Sequence, residues 1–190
     1  DFILCHWWDT LQVEHVSSVL PPAKTYFWIH ISGYSVLKLL EVGKWIHSHI
    51  LLTSESARVQ LANMSVKTKG LPVVPSVTDL SHYLALSNDV RSGGATYAGT
   101  LDLKKVHADF RNLPESLTKE LLPVKLFGKL QPDFADYLQL EDPDSETFWK
   151  YEGFASDIAT SLENSGIFLY PLRSDHYGTT ENVLLEAMAA

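Results

Sequence analysis

The sequence has one cysteine, Cys5, in 190 residues. A single thiol cannot form a disulfide within the chain, which fits a reducing compartment. Long hydrophobic runs are missing as well, so the sequence predicts no helix that spans a membrane. Basic residues are few, with 15 Lys and Arg against 23 Asp and Glu, and the formal net charge is −8. Because no long basic stripe offsets this charge, the sequence argues against nucleic acid as a partner.

What is present suits a folded protein of one moderate domain or two small ones. Apolar residues make up 45% and aromatic residues 11% of the chain, enough for a hydrophobic core. The first residues show neither an initiator methionine nor a signal-peptide pattern, and residues 187–190 contain no helix stop signal. We therefore expect an internal piece of a longer protein.

Short apolar runs alternate with helical patterns along the whole chain. The runs predict strands at 2–5, 26–31, 50–53, 71–74, 96–99, 124–127, 148–151 and 167–170, and helices at 35–45, 54–63, 105–122, 132–140, 156–164 and after residue 180. Apolar strands joined by helices predict parallel sheets covered on both faces. The fold class expected is α/β, with two Rossmann-like lobes whose ligands bind at the carboxyl ends of the strands.

The polar stretch that ends in Ser92-Gly93-Gly94 marks the predicted junction between the two lobes. We expect one lobe over residues 1–79, a linker over residues 80–94 and a second lobe over residues 95–190. Neither lobe is expected to be complete.

The last residues combine a turn with a helix. Gly178 permits unusual backbone angles, Thr179 or Thr180 can cap a helix, and Glu181 suits its first turn. Asn182, Glu186 and Ala190 share one helical stripe, whereas Val183, Leu184, Ala187 and Met188 are predicted to pack on a sheet. The segment fits either a pocket for a phosphate and a sugar or an ordinary capped helix with a solvent-facing glutamate.

Other candidate groups follow the predicted strands of the second lobe. Gly99 would let a ligand approach the backbone, and Lys105 would reach a diphosphate unless it is simply a solvated helix lysine. Residues 127–129 repeat this pattern, and residues 152–154 could place backbone groups beside a base.

In the first lobe, His30 stands at a strand end before Gly33. It could bind a substrate hydroxyl or be a structural histidine. Cys5 and His6 are neighbours on a strand and point to opposite faces, so they do not predict a catalytic dyad. His47 and His49 have no third ligand at a suitable spacing, so no metal site is predicted.

Several of these segments resemble retaining GT-B glycosyltransferases of the group that contains bacterial capsule, exopolysaccharide and lipopolysaccharide transferases. Residues 170–189, YPLRSDHYGTTENVLLEAMA, are similar to the donor-site signature of that group. Residues 97–110 resemble the first strand and helix of its donor domain, and residues 73–79 resemble its interdomain stretch. Residues 26–30 resemble an acceptor-domain strand that ends in a functional histidine.

The resemblance implies roles for particular residues. Glu186 matches the second acid of the Glu-x7-Glu motif, which holds the donor's ribose, and Gly178 stands where the first acid would be, with Glu181 nearby. Lys105 matches a basic residue that neutralises the diphosphate, and Thr100 replaces its usual arginine companion. His30 matches a histidine that contacts the transferred sugar. The implied catalytic residues are His30, Lys105 and Glu186, and the implied donor-binding residues are Gly99, Thr100, Gly178, Thr179, Thr180, Glu181, Asn182, Val183 and Glu186.

The implied function is transfer of a sugar from a nucleotide-diphosphate sugar, a UDP- or GDP-sugar, to an acceptor with retention of anomeric configuration. The implied acceptor is a glycan or a lipid-linked glycan in polysaccharide biosynthesis, and no metal is required. The implied location is cytoplasmic, with peripheral association at the inner face of the membrane. Exposed sheet edges of incomplete lobes would favour self-association.

Two alternatives remain from the sequence. The family's opening strand, its glycine-rich loop and the later part of its donor domain have no counterpart here, so the chain would also fit an inactive truncated fragment or a partner-binding scaffold of the same fold. A nucleotide-sugar epimerase or hydrolase of this fold is less favoured, because the sequence lacks further paired carboxylates.

Overall fold

A computed structural model describes residues 2–7, 25–30, 50–86, 93–176, 178 and 181–190. Two compact units divide the chain. The first unit comprises Asp1–Val77 and Asp175–Glu181, and the second comprises Thr78–Ser174 and Asn182–Ala190. The predicted helix at 35–45 lies outside the described residues, and the predicted lobe boundaries at 79 and 95 stay predictions.

The first unit contains a three-stranded parallel sheet. Its strands are β1 (Ile3–Trp7), β2 (Thr25–Ile29) and β3 (Ile50–Leu52), in the order β1-β2-β3. Helix α1 (Glu55–Asn63) follows β3 and begins after Ser54, whose hydroxyl accepts the Ala57 N–H at 3.1 Å. Serine is favoured at this position because its hydroxyl satisfies one of the free amides of a helix start. The core of this unit consists of Phe27, Ile29, Ile50, Leu52, Leu61 and Leu71.

The predicted strand at 71–74 is reduced to a single bridge between Leu52 and Val73. Leu52 donates its N–H to the Pro72 carbonyl at 2.9 Å and accepts the Val74 N–H at 2.7 Å. Pro72 and Pro75 flank this bridge and have no N–H of their own. The prolines therefore prevent the ladder from extending in either direction.

The second unit contains a four-stranded parallel sheet in the order β6-β5-β4-β7. Its strands are β4 (Ala95–Ala98), β5 (Val124–Phe127), β6 (Trp149–Gly153) and β7 (Ile167–Phe168), and its helices are α2 (Ser81–Leu84), α3 (Pro132–Leu138), α4 (Ile158–Glu163) and α5 (Asn182–Ala189). β5 and then β6 are added on one side of β4, and β7 is added on the other side. The topological switch point, where such sheets bind ligands, therefore lies between β4 and β7.

Aromatic side chains fill the core of the second unit. The Phe110 ring lies 5.5 Å from the Tyr97 ring, 4.8 Å from the Trp149 ring and 6.2 Å from the Phe134 ring, measured between centroids. All four side chains are almost fully buried. Contacts of this kind hold β4 and β6 against the segment before β5 and against α3.

Two details of the predicted helices are wrong. Residues 105–122 form the 3₁₀ segments Phe110–Ser116 and Lys119–Leu121 instead of an α-helix, because Pro114 lacks the N–H that a regular helix needs. On α5, Leu184 and Met188 do not pack on the sheet, since they are 38% and 84% exposed. The stripe that contains Glu186 faces inward instead, because the protein supplies hydrogen-bond donors to that carboxylate.

Candidate functional site

An open cleft lies at the carboxyl end of the sheet in the second unit. It has a volume of about 270 Å³ and is lined by the turns after three strands, residues 98–100, 127–129 and 154–155, together with Ile158 and Val183. Ile158 is the first residue of α4 and Val183 the second of α5. The location fits the rule that parallel α/β sheets bind ligands at the carboxyl ends of their strands.

Glycines shape the floor of this cleft. Gly99 has a φ of 147° and Gly128 a φ of 128°, in the region that favours glycine. Gly128 lies so close to the turn after β4 that a Cβ atom on it would overlap the Gly99 carbonyl oxygen. Gly99 donates its N–H to Phe127 at 2.9 Å, and Gly128 donates to Gly153 at 2.8 Å. Backbone hydrogen bonds therefore join the three turns. Because no side chain projects from the glycines, a ligand can approach the backbone closely.

Lys105 lies beside the end of β7. Its carbonyl accepts the Arg173 N–H at 2.9 Å, and its Nζ lies 5.3 Å from the centroid of the Tyr170 ring. Tyr170 in turn stacks against Tyr97, at 5.4 Å, and against Phe168, at 5.7 Å. The lysine is 7% exposed, so it is not the solvated helix lysine that the sequence left open. It does not line the cleft itself.

Glu186 on α5 is held by two residues that precede β4. Thr78 Oγ1 donates to Glu186 Oε1 at 3.3 Å, and the Tyr83 hydroxyl hydrogen-bonds the same side chain. Burial, and then the charge of Glu186, raise the pKa of Tyr83, so this hydroxyl stays protonated as a donor at neutral pH. Sequence reasoning missed Thr78 and Tyr83 as partners of Glu186, because no sequence pattern links residues 108 positions apart.

The start of α5 contains an unsatisfied polar atom. Asn182 Oδ1 is buried and has no hydrogen-bond partner within the described part of the chain. Buried polar atoms are nearly always paired, so this oxygen requires a partner from water, from a ligand or from residues outside the described part of the chain. Val183, the next residue, lines the cleft.

The turn before α5 belongs to the first unit. Gly178 donates its N–H to His176 Nδ1 at 3.1 Å, and Glu181 Oε1 lies 3.7 Å from the same nitrogen. A Cβ atom on Gly178 would collide with the Glu181 carboxylate. Glu181 therefore fills the space that a side chain at position 178 would occupy. Thr179 and Thr180 lie outside the described residues.

His30 is buried at the end of β2 in the first unit. Its Nε2 lies 3.2 Å from His6 Nδ1, and its Nδ1 lies 3.1 Å from Ser76 Oγ. The His6 and His30 rings stack at 5.2 Å, and burial followed by the charge of His6 lowers the pKa of His30. His6, in contrast, is exposed. Both His30 nitrogens thus face protein groups. Sequence reasoning missed these contacts because residues 6, 30 and 76 come together only in the folded protein.

Other potential groups have simpler explanations. Burial raises the pKa of the Cys5 thiol, which disfavours the thiolate that nucleophilic chemistry needs. Among the described residues, no group of three or more His, Cys, Asp or Glu side chains could hold a metal ion, and His47 and His49 lie outside them. Within the same residues, no helix has the length and apolar character to cross a membrane.

A second cleft in this unit, of about 230 Å³, lies around Arg111 and Trp149. Trp149 begins β6, so this cleft is at the amino end of the sheet. Its lining includes Glu115, Asp142 and Asp144, which would repel an anionic ligand. We therefore place the candidate site at the carboxyl end.

No protein-family model matches the sequence, and no curated protein matches it either. Solved structures do match the fold. HepE from Anabaena, in complex with UDP and glucose, has a TM-score of 0.71 at 13% identity, over 98% of this chain and 56% of HepE. TarM has a TM-score of 0.69 at 10% identity, over 99% of this chain and 39% of TarM.

A third match is the pneumococcal O-GlcNAc transferase GtfA in complex with UDP and GlcNAc, with a TM-score of 0.62 at 13% identity. It covers 98% of this chain and 40% of GtfA. The chain thus spans between 39% and 56% of the length of these proteins. At these identities the likeness establishes the fold: an α/β protein with parallel sheets of the GT-B type, as the sequence predicted.

Proposed function

We propose that this chain is part of a glycosyltransferase and that its second unit binds a nucleotide-diphosphate sugar. The observation that carries the proposal is the cleft at the carboxyl ends of β4, β5 and β6, next to the switch point of the sheet. The GT-B fold supports it, since the HepE and GtfA structures that share this fold contain UDP. Fold alone does not define chemistry, so the residues around the cleft must carry the rest.

The base of the nucleotide fits the cleft itself. The ribose and the phosphates fit the side of the cleft that α5 borders. The glycine turns at Gly99 and Gly128 admit a flat base, and Thr100 and Val183 close its walls. Glu186 accepts hydrogen bonds from the hydroxyl groups of the ribose, and Asn182 Oδ1 offers a further acceptor. Lys105 and the free amides at the start of α5 attract the diphosphate. In the proposed site, Gly178, Thr179, Thr180 and Glu181 remain predictions.

The chemistry follows from charge. Breaking the bond between the sugar and the diphosphate builds negative charge on the leaving group, and fixed donors such as Lys105 stabilise that charge without a metal. We propose retention of anomeric configuration: an acceptor hydroxyl attacks the anomeric carbon from the face that the leaving group departs from, and the departing diphosphate takes up the proton of that hydroxyl. The acceptor, a glycan or lipid-linked glycan, is assigned to the first unit, where His30 is the predicted contact to the sugar. We further propose a role in polysaccharide synthesis at the cytoplasmic face of the membrane.

Isothermal titration calorimetry of the chain with UDP, GDP, ADP and their sugar conjugates tests the donor site. We expect UDP or GDP to bind, and Val183→Trp to block binding by filling the cleft. Met188→Trp, at an 84% exposed position of the same helix that does not line the cleft, serves as a control for added bulk. Failure of all three nucleotides to bind would reject the donor site and favour the inactive fragment or scaffold.

A further inference from the structure

A short segment before β4 contacts the Glu186 carboxylate from two positions. Thr78 donates to Oε1 at 3.3 Å, and Tyr83, five residues later on α2, hydrogen-bonds the same side chain. Both residues are partly buried, as is Glu186. All three lie in the second unit, so these contacts form within one compact body.

The number of acceptor positions suggests why two donors are useful. An ionised carboxylate has two oxygens and about four lone-pair positions. Thr78 and Tyr83 use about half of them and fix the plane of the group. The remaining positions match two adjacent hydroxyl groups, such as those of a ribose. A carboxylate held in this way loses little rotational freedom when a diol binds.

The same segment also contacts the helix on the other side of the cleft. His82 Nε2 lies 3.4 Å from Asp157 Oδ1, the residue that caps α4 by accepting the Ala159 N–H at 3.0 Å. Both side chains are largely exposed, so this pair adds little energy. Its position is informative, however, because the first turns of α4 and α5 both line the cleft. Residues 78–84 therefore brace the two helices that border the ligand site.

We infer that Thr78 and Tyr83 are positioning residues, which hold the Glu186 carboxylate ready for the two hydroxyl groups of a nucleotide's ribose. The inference rests on the proposed function and adds two residues to its site. Thr78 and Tyr83 act through Glu186 and do not touch the nucleotide. Their removal should therefore affect only ligands that carry the ribose hydroxyls.

The test compares UDP with 2′,3′-dideoxy-UDP by calorimetry on the full chain. Wild type should bind UDP more tightly, by about 10-fold, because hydrogen bonds to a charged group stabilise by about 1.5–3 kcal/mol. Thr78→Val and Tyr83→Phe should each weaken UDP by about 5-fold and leave the dideoxy analogue unchanged. Glu186→Gln should lower the preference further, and adding Thr78→Val to it should have almost no extra effect.

Matched controls are available in the same unit. Tyr137→Phe removes a hydroxyl that donates to the Ala108 carbonyl at 2.7 Å, and Thr118→Val changes a threonine at the start of a 3₁₀ segment. Neither residue lines the cleft, and both variants should retain the wild-type preference for UDP. Thr78→Ser keeps the donor and should also retain it, which provides a folded variant if Thr78→Val unfolds.

Three outcomes would overturn the inference. Equal weakening of UDP and the dideoxy analogue would show that Thr78 and Tyr83 only support the fold, and the proposed function would stand. An unchanged preference in Glu186→Gln would remove the carboxylate from the ribose site while leaving nucleotide binding intact. If wild type binds neither ligand, the proposed function and the inference are both wrong.

Discussion

The Nζ atom of Lys105 lies 5.3 Å from the centroid of the Tyr170 ring. Cation–π contacts of this length attract a lysine side chain to the face of the ring. Tyr170 also stacks against Tyr97 and against Phe168, which limits the movement of its ring. The protein thus holds the Lys105 side chain at the end of β7 before any ligand binds.

Lys105→Ala should weaken UDP much more than uridine. The side chain neutralises phosphate charge, so we expect about 10-fold loss for UDP, or about 1.4 kcal/mol, and little change for uridine. Calorimetry with both ligands measures the difference. Lys104→Ala is the matched control, because Lys104 is adjacent in sequence but exposed. A loss of similar size in both variants, or equal loss for UDP and uridine, would exclude a specific role of Lys105 at the diphosphate.

Thr100→Arg should have the opposite effect. Thr100 lines the cleft at the position where the resembled family has an arginine. A guanidinium there could form two parallel hydrogen bonds to a phosphate, so we expect UDP to bind about 5-fold more tightly and uridine unchanged. Thr118→Arg adds the same charge away from the cleft and should change little, particularly at 150 mM salt. Unchanged or weaker UDP binding by Thr100→Arg would contradict a phosphate site beside Thr100.

The sheets were predictable because their sequence signals are local. Val124 to Phe127 is a run of alternating burial between turn residues, and the observed strand has the predicted bounds. Ser54 marked the start of α1 by its own side chain. The parallel arrangement followed from apolar strands separated by helices, and β4 to β7 show it.

What the sequence did not predict depends on contacts between distant residues. Leu184 and Met188 were wrongly expected to pack on the sheet. The partners of Glu186, Thr78 and Tyr83, were missed because they meet it only after folding. The contacts from His6 to His30 and from His30 to Ser76 were missed for the same reason, since the register of β1 and β2 brings His6 and His30 together. Polar side chains of this kind are placed by tertiary structure, and local propensity does not determine their direction.

Gly128→Ala should destabilise the second unit. The new Cβ would overlap the Gly99 carbonyl oxygen, and the φ of 128° is unfavourable for alanine. Overpacking and backbone strain each cost about 1–3 kcal/mol, so we expect a loss at the upper part of that range or beyond. Urea unfolding followed by circular dichroism measures it.

Gly94→Ala is the matched control for this substitution. Gly94 has a φ of 93°, but a Cβ there would have no atom within 4 Å. It should therefore cost only the backbone strain, about 1–3 kcal/mol, without the added cost of overpacking. Equal losses for the two glycines would show that the turns after β4 and β5 do not approach as closely as the structure indicates.

His30 should titrate at a lower pH than an ordinary histidine. Burial disfavours its charged form, and the charge of His6 adds to this, so both lower the pKa of His30 below 6.5. In the unfolded chain the imidazole takes up its proton near pH 6.5, before the folded protein does. The free energy of unfolding should therefore be highest above pH 6.5 and should fall as the pH drops from 6.5 through the folded pKa.

NMR of the histidine ring protons, assigned with a His30→Gln variant, measures this titration directly. In His6→Gln the midpoint for His30 should move upward, because the charge of the neighbouring imidazole is removed. It should stay below 6.5, since burial is the larger cause. The unfolding free energy of His30→Gln should depend less on pH between 7.5 and 5 than that of wild type. A midpoint above 6.5 in wild type would mean that a carboxylate, instead of His6 and Ser76, lies beside the His30 ring.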